Sequence, residues 1–375
     1  MKIDEIVKEF NLCGDIVEIF SNEIGLINKS YIVITTEKKY IIQKINKLVF
    51  HEPDKIMNNI KVVTEHLNSL KKTCDNLKLI ATKSGKYHLV TDGEYYRCYD
   101  YINDSVTYNF PKYNKQLYEL GDAIGNFHKD LLNLDVNKLH NTIPNFHDTD
   151  VRFNQLVEAF INSDPYKQDE SIELYKFVLD NIDQVVNINK ELENSKIPWH
   201  IVHNDTKFNN LVFDKTTNKA KCLIDYDTVM PGSILFDFGD AMRSAAASVS
   251  EECFEYELID FNLIRFVYFT IGYYYKMKDM LTEREIELLY DSMLMISFEC
   301  GMRFLTDYLD NDKYFSVKFP KHNLKRSKNQ FILSKKIIEK KERIKKIIKI
   351  IQKRIKWVKN TKKSFFTLKI TTFSV

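Results

Sequence analysis

Glycine, proline and tryptophan are scarce in this sequence of 375 residues, which contains 10 Gly, 7 Pro and 2 Trp. So few glycines and prolines argue against a collagen-like chain, a linker-rich chain and an all-β fold with many tight turns. Long apolar runs are also missing, since no window holds 18 uninterrupted apolar residues, and this argues against a membrane-spanning helix. A hydrophobic content of 44% is nevertheless ordinary for a chain that buries a core, so global disorder is not expected.

The six cysteines include no CxxC pair, and the shortest interval between two of them is 24 residues. The first residues, Met1–Ile6, carry two acids and lack the basic region and apolar core of a signal peptide. Both features favour free thiols in a reducing compartment, so a cytoplasmic location is predicted.

Positive charge is concentrated near the C-terminus. Residues 335–363 hold 14 Lys/Arg and 2 acids, a local net charge of +12, so the remainder of this +3 chain carries −9. An acidic body does not favour nucleic acid, and no nucleic-acid partner is expected for it. The tail, 341–375, is amphipathic, with isoleucines on one helical face and Lys/Arg opposite. Two interpretations stay open: contact with an anionic membrane or a nucleic acid, or, as the preferred one, a helix packed on the body.

Short apolar runs rich in Tyr, Ile and Val dominate the first hundred residues, and helical periodicity dominates the rest. Strands are predicted at 15–20, 30–36 and 39–45, a helix at 54–70, and a hairpin around Asp92-Gly93. Helices follow from residue 112, interrupted by a β segment at 201–227. This order predicts an α+β fold with two lobes like those of protein kinases, a β-rich lobe at 1–102 and a mostly helical lobe at 103–340, followed by the tail.

One segment, 199–243, combines residues that carry chemistry. It contains His203-x-Asp205-x₄-Asn210, followed by Asp225 at the end of a predicted strand. Phosphoryl transfer from ATP needs an acidic residue aimed at the attacking hydroxyl and oxygen ligands that hold Mg²⁺ on the phosphates. Asp205 fits the first role. The runs 211–214 and 220–224 predict a hairpin whose open end brings Asn210 and Asp225 together, and these two fit the second role.

A second acidic motif in this segment, Asp237-Phe238-Gly239, spells the metal-binding motif of protein kinases. It lies 27 residues after Asn210 and away from the open end of the predicted hairpin. We therefore assign the metal to Asp225. Asp237 is expected to orient the loop around Asp205 by accepting backbone N–H bonds, and His203 to support the same loop.

Three strings in this region carry a family resemblance: HNDTKFNNLVFD (203–214), IDYDTVMPG (224–232) and LFDFGDAMR (235–243). They resemble the N-acetylhexosamine 1-kinase branch of the aminoglycoside phosphotransferase and choline kinase-like superfamily. The resemblance implies transfer of the ATP γ-phosphate to the anomeric 1-hydroxyl of a small sugar, GlcNAc or GalNAc. It also implies that Asp205 contacts that hydroxyl and that Arg303 and Tyr314, in RFLTDYLDNDKYF, line the sugar pocket.

Kinases of this class place a basic residue on the third strand to hold the ATP phosphates, and Lys44 is the candidate here. Gln43 lies one position earlier, and a shift of one residue swaps the faces of a strand, so the choice between them stays open. The acidic partner expected on the 54–70 helix is equally open, since Glu65 is the acid in its middle.

The loop that would cover the phosphates contains a single glycine, Gly25, which is no evidence for a phosphate-binding loop by itself. Asn28 and Ser30, at its end, are therefore expected to supply side-chain as well as backbone donors to the nucleotide.

Two other functions compete with the sugar kinase. The first is a kinase of another alcohol, such as an aminoglycoside, choline or a different sugar; choline would require an aromatic cage for its quaternary ammonium. The second is a catalytically silent nucleotide-binding protein, which usually lacks the base or a metal ligand. Asp205, Asn210 and Asp225 are all present here, so an active enzyme is preferred.

Overall fold

The first lobe is built on an antiparallel sheet. The computed structural model describes residues 2–22, 28–47, 49–70 and 76–361. The elements of this lobe are α1 (Ile3–Val7), β1 (Ile16–Asn22), β2 (Lys29–Thr35), β3 (Lys39–Lys44), α2 (Pro53–Ser69), β4 (Leu79–Ile80), β5 (Leu89–Thr91) and β6 (Glu94–Asp100). The sheet order is β1-β2-β3-β6-β4, with β5 also paired to β6. The predicted strands and helix of this lobe are confirmed.

Local sequence explains the turn and the helix of this lobe. Asp92 and Gly93 both have positive φ, 51° and 72°, so the β5–β6 hairpin closes through the two-residue turn that this dipeptide favours. In α2, Pro53 occupies the first turn, where its missing N–H costs no helical bond. Ile56 and Ile60 of α2 are buried against the body, as the helical period predicts.

The second lobe is mostly helical and contains two small sheets. Its elements are β7 (Ser105–Val106), α3 (Asn114–Leu131), α4 (Thr149–Asn162), α5 (Pro165–Asn181), α6 (Ile188–Glu193), β8 (His200–Val202), β9 (Leu211–Asp214), β10 (Ala220–Leu223), β11 (Met230–Gly232), α7 (Ile234–Ala245), α8 (Leu263–Met277), α9 (Glu283–Glu287), α10 (Leu289–Leu309), α11 (His322–Glu339) and α12 (Lys341–Thr361). Strand β9 pairs with β10 and β7, and β8 pairs with β11. The two-lobed α+β prediction is therefore confirmed.

Helices α3 and α8 cross at very short range in the core of the second lobe. A Cβ atom built on Gly121 of α3 would lie 2.2 Å from the carbonyl oxygen of Phe269, and one on Gly272 of α8 would lie 2.3 Å from that of Tyr118. Side chains at these positions would force the helices apart. The crossing holds α3 firmly beneath β8 and α7, the elements that carry the candidate site.

The start of the C-terminal tail is a helix packed on the second lobe. The isoleucine face of α12 is buried at Ile344, Ile347, Ile348, Ile351 and Ile355. For this part of the tail, packing on the body is confirmed, whereas the membrane or nucleic-acid contact stays an untested prediction. The rest, residues 362–375, lies outside the described residues. Within the described ranges, no helix is long and apolar enough to cross a membrane.

Candidate active site

The loop between β8 and β9 carries the predicted catalytic residues, and one buried carboxylate holds it in place. Asp237, in the first turn of α7, accepts the backbone N–H of His203 at 2.8 Å and that of Asn204 at 2.6 Å. His128 Nε2 lies 2.7 Å from the same carboxylate. The predicted backbone bonds of Asp237 are thus present.

The environment of Asp237 favours its charged form. Burial alone would raise the pKa of this carboxyl, but His128, His203 and the backbone donors outweigh that effect and hold it below its usual value. His203 is itself buried, and its Nε2 lies 2.9 Å from the carbonyl oxygen of Ile224, at the end of β10. The loop is therefore tied to both α7 and the hairpin, in the supporting arrangement expected of Asp237 and His203.

Asp205 lies in this loop, where two donors share its Oδ2 atom. Lys207 Nζ donates to it at 2.8 Å, and Asn210 Nδ2 donates at 2.8 Å. Burial raises the pKa of Asp205, but Lys207, His203 and Asn210 outweigh it, so the pKa stays below its ordinary value. An ionised Asp205 can accept a hydrogen bond from an attacking hydroxyl and orient it. Lys207 was missed, because a lysine two residues after an aspartate carries no signal by itself.

The β9–β10 hairpin brings Asn210 and Asp225 together, as its pattern predicts. Leu211 pairs with Leu223, and the Ile224 N–H donates to the carbonyl oxygen of Asn210 at 2.9 Å. Asp225 follows with φ of +68°, a left-handed conformation that Asp and Asn adopt more readily than other non-glycine residues.

The charge around Asp225 fits a cation. Burial together with repulsion from Asp227 and Asp205 raises the pKa of Asp225 to about 6. A divalent cation would relieve this repulsion, and the amide oxygen of Asn210 and the carboxylate of Asp225 are the hard donors that Mg²⁺ prefers. Among the described residues, no group of three or more His, Cys, Asp or Glu could hold a metal alone. The donor set therefore fits a Mg²⁺ ion shared with nucleotide phosphates.

On the first lobe, the orientation of the β3 side chains shows that the prediction for Lys44 is wrong. Gln43 lines the cavity between the lobes, whereas Lys44 does not; it lies 3.0 Å from Glu94 with about a third of its side chain exposed. Neighbouring residues of a strand point to opposite faces, so only one of the two can face the cavity. Lys44 is thus misplaced for holding phosphates.

A buried arginine, Arg97 on β6, lies in the interior between the lobes, where Lys44 of β3 was expected. Arg97 on β6 pairs with Gln43 in the sheet register, and its Nε and Nη2 donate to Gln43 Oε1 at 3.0 and 2.8 Å. Its Nη1 donates to Asp227, which belongs to the second lobe, and both side chains are almost fully buried. Glu65, the candidate acid on α2, is exposed instead. The ion pair of this region is therefore Arg97–Asp227, which joins the two lobes.

The two predicted nucleotide-binding polar residues lie near this ion pair. Asn28 lines the cavity, and its Nδ2 donates to Asp227 Oδ2 at 2.5 Å. Ser30 accepts a hydrogen bond from Gln43 Nε2 at 3.1 Å and does not line the cavity itself. Gly25, in the covering loop, lies outside the described residues.

A cavity of about 500 Å³ extends from this region into the second lobe, and the two predicted substrate residues line it together with Asp205. The Arg303 guanidinium carbon lies 5.0, 5.6 and 5.3 Å from the ring centres of Phe146, Tyr314 and Phe315. The backbone N–H groups of Tyr314 and Phe315 donate to Asp307, which fixes this aromatic segment over the arginine.

Several further polar residues of the cavity were missed by sequence reasoning. His147, Asp240, Arg243 and Glu299 line it, on the segment before α4, on α7 and on α10. The string LFDFGDAMR contains two of them, but helical spacing alone does not separate a cavity-facing polar residue from a solvated one.

Comparison with known proteins agrees with this geometry. A family model described as the phosphotransferase enzyme family matches residues 21–264. A microcompartment-associated aminopropanol kinase has a similar structure, with a TM-score of 0.58, 13% identity and coverage of 92% of this chain and 98% of that one. Spectinomycin phosphotransferase, solved with ADP and spectinomycin, has a TM-score of 0.52 and 15% identity, with coverage of 81% of this chain and 87% of that one. Ethanolamine kinase from Plasmodium vivax has a TM-score of 0.51 and 15% identity, with coverage of 82% of this chain and 80% of that one. At these identities the likeness concerns the fold.

Proposed function

Because the chain belongs to the phosphotransferase enzyme family, we propose that it transfers the γ-phosphoryl group of ATP to a hydroxyl of a small molecule, with Mg²⁺ as cofactor. The observation that carries this proposal is the convergence of Asp205, Asn210 and Asp225 at one cavity between two lobes. The comparisons support a kinase of small alcohols in general, since the similar structures include kinases and phosphotransferases.

Each of the three residues has a task that its environment suits. Asp205 orients the attacking hydroxyl and accepts its proton, while Lys207 and Asn210 keep that carboxylate ionised and fixed. Asn210 and Asp225 would hold Mg²⁺, which neutralises charge on the phosphates. Because Asp237 fixes the loop through two backbone bonds, Asp205 keeps its position relative to the hairpin.

We propose further that the acceptor is an N-acetylhexosamine, phosphorylated at its anomeric 1-hydroxyl. The strings at 203–214, 224–232 and 235–243 support this choice, as does the presence of Arg303 and Tyr314 in the same cavity as Asp205. A guanidinium with several N–H donors suits sugar hydroxyls and an acetamido carbonyl. The acceptor is a small molecule, and a cytoplasmic location stays a prediction.

The aromatic residues around Arg303 argue against choline as the acceptor. Phe146, Tyr314 and Phe315 form the kind of aromatic enclosure that would bind a quaternary ammonium. In this structure their rings surround the protein's own cation, Arg303. A choline headgroup would have to displace this arginine, whereas a sugar can bind beside it.

The proposal is tested by ADP release with MgATP and six acceptors: GlcNAc, GalNAc, glucose, galactose, choline and kanamycin. Turnover confined to the two N-acetylhexosamines is expected. Turnover with choline or kanamycin alone would refute the sugar proposal and leave the roles of Asp205, Asn210 and Asp225 intact. Bound ATP with no turnover on any of the six acceptors would favour a kinase of an untested alcohol.

A further inference from the structure

Two buried polar atoms, one on each of two residues that line the cavity, have no hydrogen-bond partner among the described residues. They are Oδ2 of Asp240 and Nε2 of His147. Asp240 is 6% exposed, and the His147 side chain is 9% exposed. Buried polar atoms of folded proteins are nearly always paired, and those that are not frequently belong to functional sites. The pair therefore indicates a place where a ligand supplies the missing partners.

Arg243 partly compensates the charge of Asp240 and binds one of its oxygens, while the other oxygen is unpaired. Arg243 Nε and Nη2 donate to Asp240 Oδ1 at 3.0 and 2.9 Å, and Arg243 Nη1 donates to Glu251 at 2.7 Å. Oδ2 consequently keeps its capacity to accept a hydrogen bond. Such an oxygen suits a hydroxyl donor better than an ammonium ion, which would compete with Arg243.

The contact of the other ring nitrogen of His147 with Glu299 determines which nitrogen carries a proton. Nδ1 lies 3.2 Å from Glu299 Oε2, and Thr149 donates to the other oxygen of that carboxylate at 2.7 Å. A carboxylate only accepts, so Nδ1 carries the proton. Nε2 is then an acceptor in the neutral ring and a donor in the charged ring. A hydroxyl can donate and accept, so it pairs with Nε2 in either form, whereas an ammonium cannot.

The position of Asp240 relative to the reacting hydroxyl is set by α7. Asp237 lies one turn earlier on the same helix and holds the loop that carries Asp205. Burial raises the pKa of Asp240, and the charge of Asp205 raises it further against the effect of Arg243, because the two carboxylates lie near each other. A ligand group on Asp240 is thus held at a fixed offset from the hydroxyl oriented by Asp205.

We propose that Asp240 Oδ2 and His147 Nε2 bind two hydroxyl groups of a neutral polyhydroxylated acceptor of the pyranose type, and so select it over amino alcohols and choline. This inference rests on the proposed function, because it concerns the acceptor of that reaction. It assigns specificity to two residues that lie on separate elements of the second lobe and line the same cavity as Asp205.

The test pairs acceptor analogues with two near-isosteric variants. Asp240→Asn keeps an oxygen for Arg243 and turns the free acceptor into a donor. His147→Asn keeps an N–H near the Nδ1 position, for Glu299, and removes Nε2. Kinetics and calorimetric binding are measured with the parent sugar and with its 3-, 4- and 6-deoxy analogues. In the wild type, two analogues should lose about 10- to 100-fold in kcat/KM and in affinity. Each variant should lose a similar factor on the parent sugar and be insensitive to one of those two deoxygenations.

The control is His200→Asn, since His200 is a half-buried histidine paired with Glu285 and does not line the cavity. It should keep the wild-type analogue pattern. Equal losses on every analogue in wild type and variants, which a purely structural role would give, would overturn the proposal while sugar turnover upheld the function. Pyranose binding with the predicted pattern but no phosphorylation would refute the function and leave the site standing. No pyranose binding at all would overturn this proposal and the sugar acceptor, and would leave phosphoryl transfer to another alcohol standing.

Discussion

Replacing Asp225 by asparagine should make the protein more stable at pH 7.5 while abolishing Mg²⁺-dependent turnover. The ionised Asp225 carboxylate is disfavoured by burial and by repulsion from Asp227 and Asp205, which together raise its pKa to about 6. Asparagine removes the charge and has a similar shape. It also tolerates the left-handed conformation, φ of +68°, which Asp225 adopts.

The magnitude follows from the raised pKa. A rise from 3.8 to about 6 corresponds to at most about 3 kcal/mol at pH 7.5, and partial exposure to the cavity lowers the expectation to about 1–2 kcal/mol. The raised pKa means that ionised Asp225 destabilises the folded protein. This destabilisation is absent well below pH 3.8, grows as the pH rises from 3.8 to about 6, and is complete above about 6. By the same linkage, about half of it should be present at pH 5.

Urea unfolding of wild type and Asp225→Asn at pH 7.5 and pH 5, without added divalent cation, measures this effect. The variant should be more stable at pH 7.5, and its advantage should shrink by about half at pH 5. Mg²⁺ added together with ADP should stabilise the wild type more than the variant. Asp214→Asn is the opposite-sign control, since Thr217 and Thr216 hold the pKa of Asp214 low, and its loss should destabilise the protein. A less stable Asp225→Asn protein at pH 7.5, or an advantage unchanged at pH 5, would refute the reasoning.

Three further substitutions test other parts of the site. Asp205→Asn should lower kcat by about 10²- to 10⁴-fold, and a loss below fivefold in steady-state assays would contradict its role. Because the pKa of Asp205 is held low by Lys207, the substitution should also lower the urea midpoint. Arg97→Met should lower the free energy of unfolding by about 3–5 kcal/mol, because Asp227 is left buried and uncompensated, and a urea titration showing under 1 kcal/mol would be inconsistent with this pair. Lys44→Ala should change the KM for MgATP by less than about twofold, since its partner is Glu94; a tenfold rise would restore it as a phosphate ligand.

Local sequence patterns made the proximity of the two candidate metal ligands, and the anchoring of the loop beside them, predictable. Asn210 and Asp225 lie 15 residues apart on a hairpin, and antiparallel pairing alone brings the ends of a hairpin together. The same pairing favoured Asp225 over Asp237 as the candidate metal ligand, because the Asp237 motif falls beyond that hairpin. Short-range geometry was therefore sufficient to predict that Asn210 and Asp225 lie together and that Asp237 accepts the backbone bonds of the loop.

Contacts between distant segments were beyond the reach of the sequence. Arg97 and Asp227 are 130 residues apart, and nothing in the local sequence around either residue pairs them. The face of β3 depended on a register of one residue, so Gln43 and Lys44 could not be told apart without the neighbouring strands. The polar residues of the cavity likewise come from three separate segments, the one before α4, α7 and α10. Two of them, His147 and Asp240, are distinguished by an unpaired buried atom that only the structure shows.

The most direct test of the central claim is the structure of the product formed from GlcNAc and MgATP, determined by phosphorus and proton magnetic resonance. Transfer to the hydroxyl oriented by Asp205 in the proposed reaction predicts a phosphate on the anomeric oxygen, seen as splitting of the H1 signal by phosphorus. Asp205→Asn should slow the appearance of that signal by about the same factor as kcat. A phosphate on the 6-hydroxyl, or a product that forms at an equal rate with the variant, would contradict the account.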